Sequence, residues 1–258
     1  MKKVNRKIIS IFLLLIITAS QIGPAVIATE NNATETQTLE QYLIENGVDT
    51  DGDKRISDAE WAKVKNLDVY DWSEKINDFT GLEKAVNLKY LELTNCNVNI
   101  DFSKLVNLEK FTIDSYTYSK IDFTKLTHLK QLEIRGTEKE KNVIKLSGMN
   151  QLEKLTCKYI DDLDLSELSN LGSLYMFDCT NIKLPRFNKL SSINIYNSNI
   201  NGIIDLQNCE EIYGDIDSEI GIEKIKLNKN TMINKDGSCF RLENLEDEIN
   251  IELNKEYE

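Results

Sequence analysis

Several things are scarce in this chain. Its 258 residues hold two prolines and one histidine. A single imidazole excludes a histidine-based zinc site and most histidine-dependent acid–base catalysis. Positive charge is in the minority: 31 Lys and Arg face 43 Asp and Glu, leaving −12. A nucleic-acid binder needs a basic surface, so that class is excluded. After residue 28 no long apolar run follows, so no membrane span is expected. What remains is ample for folding. Hydrophobic residues make up 41% of the chain, too many for a disordered acidic tail and enough for a sizeable core.

The first 28 residues carry Lys2, Lys3, Arg6 and Lys7, then an apolar run from Ile8 to Ala19, then short residues at Val26 and Ala28. This is the order of a signal peptide with cleavage after Ala28. The run falls short of the ~20 residues that a spanning helix needs. No cysteine lies in the leader to carry a lipid. Loss of residues 1–28 removes four positive charges and leaves −16. Only Pro185 then remains, and the C-terminus lacks an apolar stretch with a basic tail. The expectation is a secreted or loosely cell-surface-associated protein. Residues 29–37, polar and poor in large apolar groups, read as a disordered linker.

Residues 49–60 read DTDGDKRISDAE. Asp49, Asp51 and Asp53 alternate, Ser57 follows, and Glu60 closes a stretch of twelve. This is the oxygen-ligand spacing of an EF-hand loop for calcium: three carboxylates, the Arg55 backbone carbonyl, Ser57 directly or through water, and both oxygens of Glu60. Leu39, Tyr42 and Leu43 before the loop, and Trp61, Val64 and Leu67 after it, have helical spacing. The sixth position, where glycine supplies a positive φ, is Lys54. That substitution costs roughly 1 kcal/mol and sets a cation beside the ion. Weak binding follows, nearer the ~10⁻⁴–10⁻³ M of extracellular modules. The alternative is an acidic turn that caps a helix over Ser57–Leu67. A single loop suits a staple rather than a switch.

The rest of the chain repeats. The pattern LxxLxL starts at residues 88, 108, 129, 152, 171 and 190. A half-copy precedes it at Val64, Leu67 and Val69. A degenerate copy follows at Cys209 and Ile212, and a short one at Ile222, Ile225 and Leu227. A second landmark trails each copy: Ile100-Asp-Phe102, Ile121-Asp-Phe123, Ile144-Lys-Leu146, Leu163-Asp-Leu165 and Ile182-Lys-Leu184. Repeats of about 20 residues mean a solenoid.

This arrangement resembles the leucine-rich repeat family, and within it bacterial internalin-like surface proteins with a calcium-loop cap. The stretch Asp78 to Glu83 looks like the lead-in to their first full repeat. The resemblance implies an α/β fold: a curved parallel-sheet solenoid with irregular return segments and a helical EF-hand-like cap at its start. It implies a cap over 38–69, repeats over 70–230 and a C-terminal cap over 231–258. It departs at the ladder position, where asparagine is usual and this chain has Cys96, Tyr116, Thr137, Ile160, Cys179 and Ser198. A weak ladder and a locally irregular solenoid are expected there.

Five cysteines do not make a disulfide framework here. Cys96 and Cys179 share one repeat position four repeats apart, roughly 19 Å at the usual strand spacing and beyond the ~7 Å a disulfide allows. Cys157 and Cys209 stand at core positions. Cys239 is unplaced, and its pairing with Cys209 stays open. His128 occupies a slot filled by Asn87, Asn107 and Asn170 in other repeats, which gives no ground for catalysis.

Residues flanking the apolar ones on each strand face the concave surface. The early strands present charge. The later ones gather Tyr175, Phe177, Tyr196 and Tyr213, a candidate surface for a protein partner from a host or from the bacterial surface. The chain is thus read as a monomeric interaction module and not an enzyme, with calcium as its cofactor. The alternative is a structural envelope protein without a dedicated ligand.

Overall fold

The computed structural model describes residues 26–27, 37–70, 76–94, 96, 98, 100–114, 121–138, 143–209, 213–217, 220–227, 240–243 and 250–253. Nearly all of the expected leader and linker, Tyr116, Ile212, Cys239 and most of 231–258 lie outside the described residues. Strands are numbered in chain order: β1 Val26–Ile27, β2 Gln37–Thr38, β3 Asn66–Tyr70, β4 Ile76–Asp78, β5 Tyr90–Thr94, β6 Lys110–Asp114, β7 Gln131–Arg135 and β8 Lys154–Lys158. They continue as β9 Ser173–Phe177, β10 Ser192–Tyr196, β11 Asn199–Leu206, β12 Tyr213–Asp217, β13 Ile220–Leu227, β14 Phe240–Glu243 and β15 Asn250–Leu253. Helices α1 (Leu39–Glu45) and α2 (Asp58–Trp61) flank the acidic loop. No helix among the described residues is long and apolar enough to cross a membrane.

The repeat becomes a 10-stranded parallel sheet in the order β1-β3-β5-β6-β7-β8-β9-β10-β12-β14. Each LxxLxL supplies one five-residue strand. Its two apolar positions point inward and its first, third and fifth residues point outward, as the two-residue side-chain period dictates. Register stacks the inward residues into two columns. Leu67, Leu91, Phe111, Leu132, Leu155, Leu174 and Ile193 form one. Val69, Leu93, Ile113, Ile134, Cys157, Met176, Ile195 and Ile216 form the other, and all of these side chains are buried. No strand could bury this face alone, so neighbouring copies supply the core. The Val64 half-copy is a true strand: Leu67 and Val69 pair with Leu91 and Leu93. The helix after the acidic loop therefore ends at Trp61 rather than reaching Leu67, because two-residue alternation and ladder pairing take over. β1 adds a parallel pair to β3 from within the segment expected to be cleaved.

The return segments change character along the solenoid. Early ones are single 3₁₀ turns at Leu82–Lys84, Phe102–Lys104 and Phe123–Lys125. The second landmark explains them. Asp101 accepts the Ser103 N–H at 2.9 Å and Asp122 that of Thr124 at 3.1 Å, so the Asp-Phe-Ser/Thr triplet caps its own turn. The same bonds hold these carboxyls below the usual range. The intervening phenylalanines pack with the sheet: Phe111 lies 5.3 Å from Phe102 and 6.1 Å from Phe123, centroid to centroid. Late return segments are extended instead, and β11, β13 and β15 form a second parallel sheet.

Two expectations about the last copies are corrected. Ile225 and Leu227 do not form a further copy of the main strand. They align with Ile204 and Leu206 in the second sheet, so they continue the return landmark. The copy at Cys209 carries two extra residues before its strand, and Gly214, not Ile212, pairs with Ile193. A Cβ on Gly214 would meet the Ile193 carbonyl oxygen at 1.9 Å, and φ is +125°. Only glycine fits where every earlier copy has a large apolar residue. Within 231–258, β14 extends the main sheet and β15 the second one.

Three of the six ladder positions hold without asparagine. Cys179 Sγ contacts the Phe177 and Cys157 carbonyls at 3.5 and 3.6 Å, and Cys96 Sγ those of Thr94 and Val69 at 3.3 and 3.6 Å. Ser198 Oγ donates to the Tyr196 carbonyl and accepts from the Cys179 N–H. Backbone bonds such as Asp178 N to Tyr196 O complete the turn, so the expected irregularity does not develop around Cys179 and Ser198. The four described cysteines are buried. Burial pushes the Cys157 thiol well above its ordinary value, which keeps it inert.

Candidate functional site

The acidic loop gathers half of its expected ligands. One carboxylate oxygen from each of Asp49, Asp51 and Asp53 lies within 4.8 Å of the others. Backbone N–H groups build this shape: Asp49 accepts from Gly52 and Lys54, Asp51 from Asp53, and Asp53 from Arg55. Lys54 takes φ +66° without the glycine that eases it. Ser57 and Glu60 are engaged with each other instead. Glu60 is buried and accepts from the Thr50 N–H at 2.5 Å, the Thr50 hydroxyl at 2.7 Å, the Ser57 N–H at 3.0 Å and the Ser57 hydroxyl at 2.8 Å. Those donors hold its carboxyl at about 2. Ser57 also accepts from the Glu60 N–H, so the two form the capping box of α2. Three hard oxygens suit a divalent cation, while Glu60 must leave its capping role to join them.

The polar face of the main sheet has two halves. Across β3 to β7 it is charged and largely self-satisfied. Glu92 accepts the Tyr70 hydroxyl at 2.5 Å and also that of Tyr90. Lys110 Nζ lies 4.8 Å from the Tyr90 ring centre. Arg135 donates to Glu133 at 2.6 Å and pairs with Asp114 at 3.7 Å. Asp68 sits beside Glu92 in register. Burial, and then the Glu92 charge, push its carboxyl up to about 7 against the opposing pull of Lys110. Asp68 Oδ1 is buried without a hydrogen-bond partner, as is the Tyr42 hydroxyl of α1. Desolvation and the Asp68 charge push Tyr42 up to about 12. The sequence marked these strands as charged but could not show that burial would shift one carboxylate so far.

Across β8 to β12 the same face carries the expected aromatics. Tyr175 is 39% exposed, Phe177 and Tyr196 are partly exposed, and Tyr213 is 51% exposed. Tyr175 and Tyr196 pack ring to ring with centroids 5.8 Å apart. The Tyr196 hydroxyl donates to Asp215 at 3.0 Å. Phe177 pairs in register with Tyr196, so three of the four rings form one patch. Tyr213 does not join it. It lies opposite Ser192, four residues from the Asp217 that faces Tyr196, or about 13 Å along the strand. His128 is an exposed turn residue. Asn87, Asn107 and Asn170 in its slot each donate to a carbonyl of the preceding copy, so the slot is a rung of the solenoid.

These features define a parallel-sheet solenoid whose polar face is open along its late strands. No protein-family model matches the chain, and neither does any curated protein. Among solved structures it is similar to the functional domain of InlJ from Listeria monocytogenes, described as including a cysteine ladder: 15% identity, 70% of this chain, 49% of that one, TM-score 0.39. It is also similar to internalin InlF of the same species (17% identity, 81% of this chain, 89% of that one, TM-score 0.39). A third is its internalin C2 (16%, 76% and 84%, TM-score 0.40). The chain thus spans about half the length of the first of these.

Proposed function

We propose that the chain is an exported protein-interaction module of the leucine-rich repeat type, not an enzyme. Its concave face engages a protein partner through Tyr175, Phe177 and Tyr196, and calcium staples its N-terminal cap. The observation that carries this is the patch itself: three neighbouring aromatic side chains left at the surface of the sheet's outward face. Exposed aromatic clusters with fixed rings are the usual anchors of protein interfaces. Calcium rests on the convergence of Asp49, Asp51 and Asp53, with Glu60 released from its capping box to complete the set. The basic and then apolar leader supports export.

The test is capture of a partner by the chain from residue 29 onward, repeated with Tyr175, Phe177 and Tyr196 changed to alanine. Loss of the partner supports the module. A partner retained by the triple variant sinks the assignment to this patch. A second reading, a durable envelope protein with no dedicated ligand, draws on the internally satisfied charges of β3 to β7. It expects no specific partner for either form.

A further inference from the structure

The aromatic patch has a charged border that names its occupant. Lys158, last residue of β8, stands next to Phe177 of β9 in register. Its Nζ lies 4.9 Å from the Phe177 ring centre and 4.8 Å from that of Tyr159. Tyr159 is itself anchored, its hydroxyl donating to Glu138 at 2.6 Å. The ammonium is thus held against two rings, yet a lysine carries three donors that ring faces satisfy poorly. Lys154, at the other end of β8, is exposed. Neither lysine forms an ion pair with a carboxylate among the described residues, although the Lys158 charge acts on Asp114. One strand earlier, Arg135 pairs with two, Glu133 and Asp114. In a chain with a net charge of −12, acids to pair with are plentiful. Lys154 and Lys158 therefore place two cations, neither in an ion pair among the described residues, beside the Tyr175, Phe177 and Tyr196 rings. Positioning one of them in advance lowers the cost of a later contact.

We propose that the segment seated on this patch is an acidic stretch of the partner protein. It lies extended along β8, with carboxylates about four residues apart meeting Lys154 and Lys158 and an apolar or aromatic side chain between them on Tyr175. Four residues of extended chain span about 13 Å, the separation of the two lysines along their strand. Charge complementarity of this kind sets partner choice and speeds encounter. The inference rests on reading the aromatic patch as the partner surface, and it adds the partner's chemistry.

The test uses two synthetic five-residue peptides, each with a central tyrosine flanked by glycines. One has glutamate at both ends and the other lysine. Binding to the whole chain is followed by NMR shifts of labelled Tyr175, Phe177 and Tyr196. The acidic peptide should bind roughly tenfold more tightly than the basic one, a preference lost as salt rises from about 0.05 M to about 0.5 M. Lys154→Gln with Lys158→Gln should abolish the preference without changing the melting temperature. Equal binding of both peptides, or a preference untouched by the lysine variants, overturns the inference. Tyr175→Ala separates the two claims. If it weakens both peptides equally while the lysine variants do nothing, the patch is a binding surface and the acidic partner is wrong. If neither peptide shifts the three rings, the acidic occupant is also wrong, and the partner-capture experiment decides the patch by itself.

Discussion

The early and late halves of the solenoid solve one packing problem in two ways. From β5 to β7 the chain returns through aspartate-capped 3₁₀ turns, and the outward side chains are bound to one another. From β10 onward it returns through a second sheet, and the outward side chains of β8 to β10 include the Tyr175, Phe177 and Tyr196 rings and two lysines, Lys154 and Lys158, outside any ion pair among the described residues. The inward columns of Leu, Ile, Val, Phe and Met are the same in both. A shared core thus leaves the outer face free to differ. The half that satisfies itself is suited to durability, and the half that does not is suited to contact.

The largest test of this comparison is at Gly214. Alanine there drives a Cβ into the Ile193 carbonyl and keeps a positive φ, at a cost of about 3 kcal/mol or more. In a solenoid, contacts are between neighbours, so the damage should stay local. Hydrogen exchange should show protection lost in β10 and β12 while β5 to β7 keep theirs. Protection retained in β12 would refute the steric argument, and uniform loss would refute the independence of the halves.

Calcium should produce the next effect, at the opposite end. With a dissociation constant of about 10⁻⁴–10⁻³ M, a few millimolar calcium adds about 1–2 kcal/mol. The melting temperature should rise by a few degrees over a chelator control, and Asp49→Ala with Asp53→Ala should cancel the rise. An identical curve with and without calcium removes the staple.

The smallest effect belongs to Asp68. Its folded carboxyl titrates near 7, above the ordinary carboxylate value of 3.8, so the folded state binds the proton more tightly than the unfolded one. Stability from this group therefore falls as pH rises from about 4 through 7, and the cost is fully present above 7. Solvent screening limits it to about 1 kcal/mol. Asp68→Asn should flatten this part of the stability–pH curve and raise the melting temperature at pH 8 but not at pH 4. An unchanged slope would show that Asp68 is not a strained acid.

Most of the fold was legible because a repeat states its own rule. Leu88, Leu91 and Leu93 define the inward positions, and the same spacing elsewhere predicts which residues are buried. Legibility failed where one copy broke the rule. Ile212 fits the pattern better than Gly214 does, and only the two extra residues before β12 put Gly214 in its place. Ile225 and Leu227 fit either landmark, since both are apolar pairs two apart. Of the candidate sites, the acidic triplet and the aromatic residues could be named from spacing. The capture of Glu60 by Thr50 and Ser57, and the separation of Tyr213 from the patch, could not.

Local periodicity thus determined by itself which residues face inward, that the strands are parallel neighbours, and which residue types line the outer face. These follow from short-range geometry, because a two-residue period and a copy length of about 20 fix each side chain's direction. Tertiary structure alone decided which outward groups satisfy one another. Glu92 meets Tyr70 and Tyr90, and Arg135 meets Asp114 and Glu133, while Lys154 and Lys158 form no ion pair among the described residues. Such pairings depend on register between strands 20 or so residues apart, and on burial that no single copy contains.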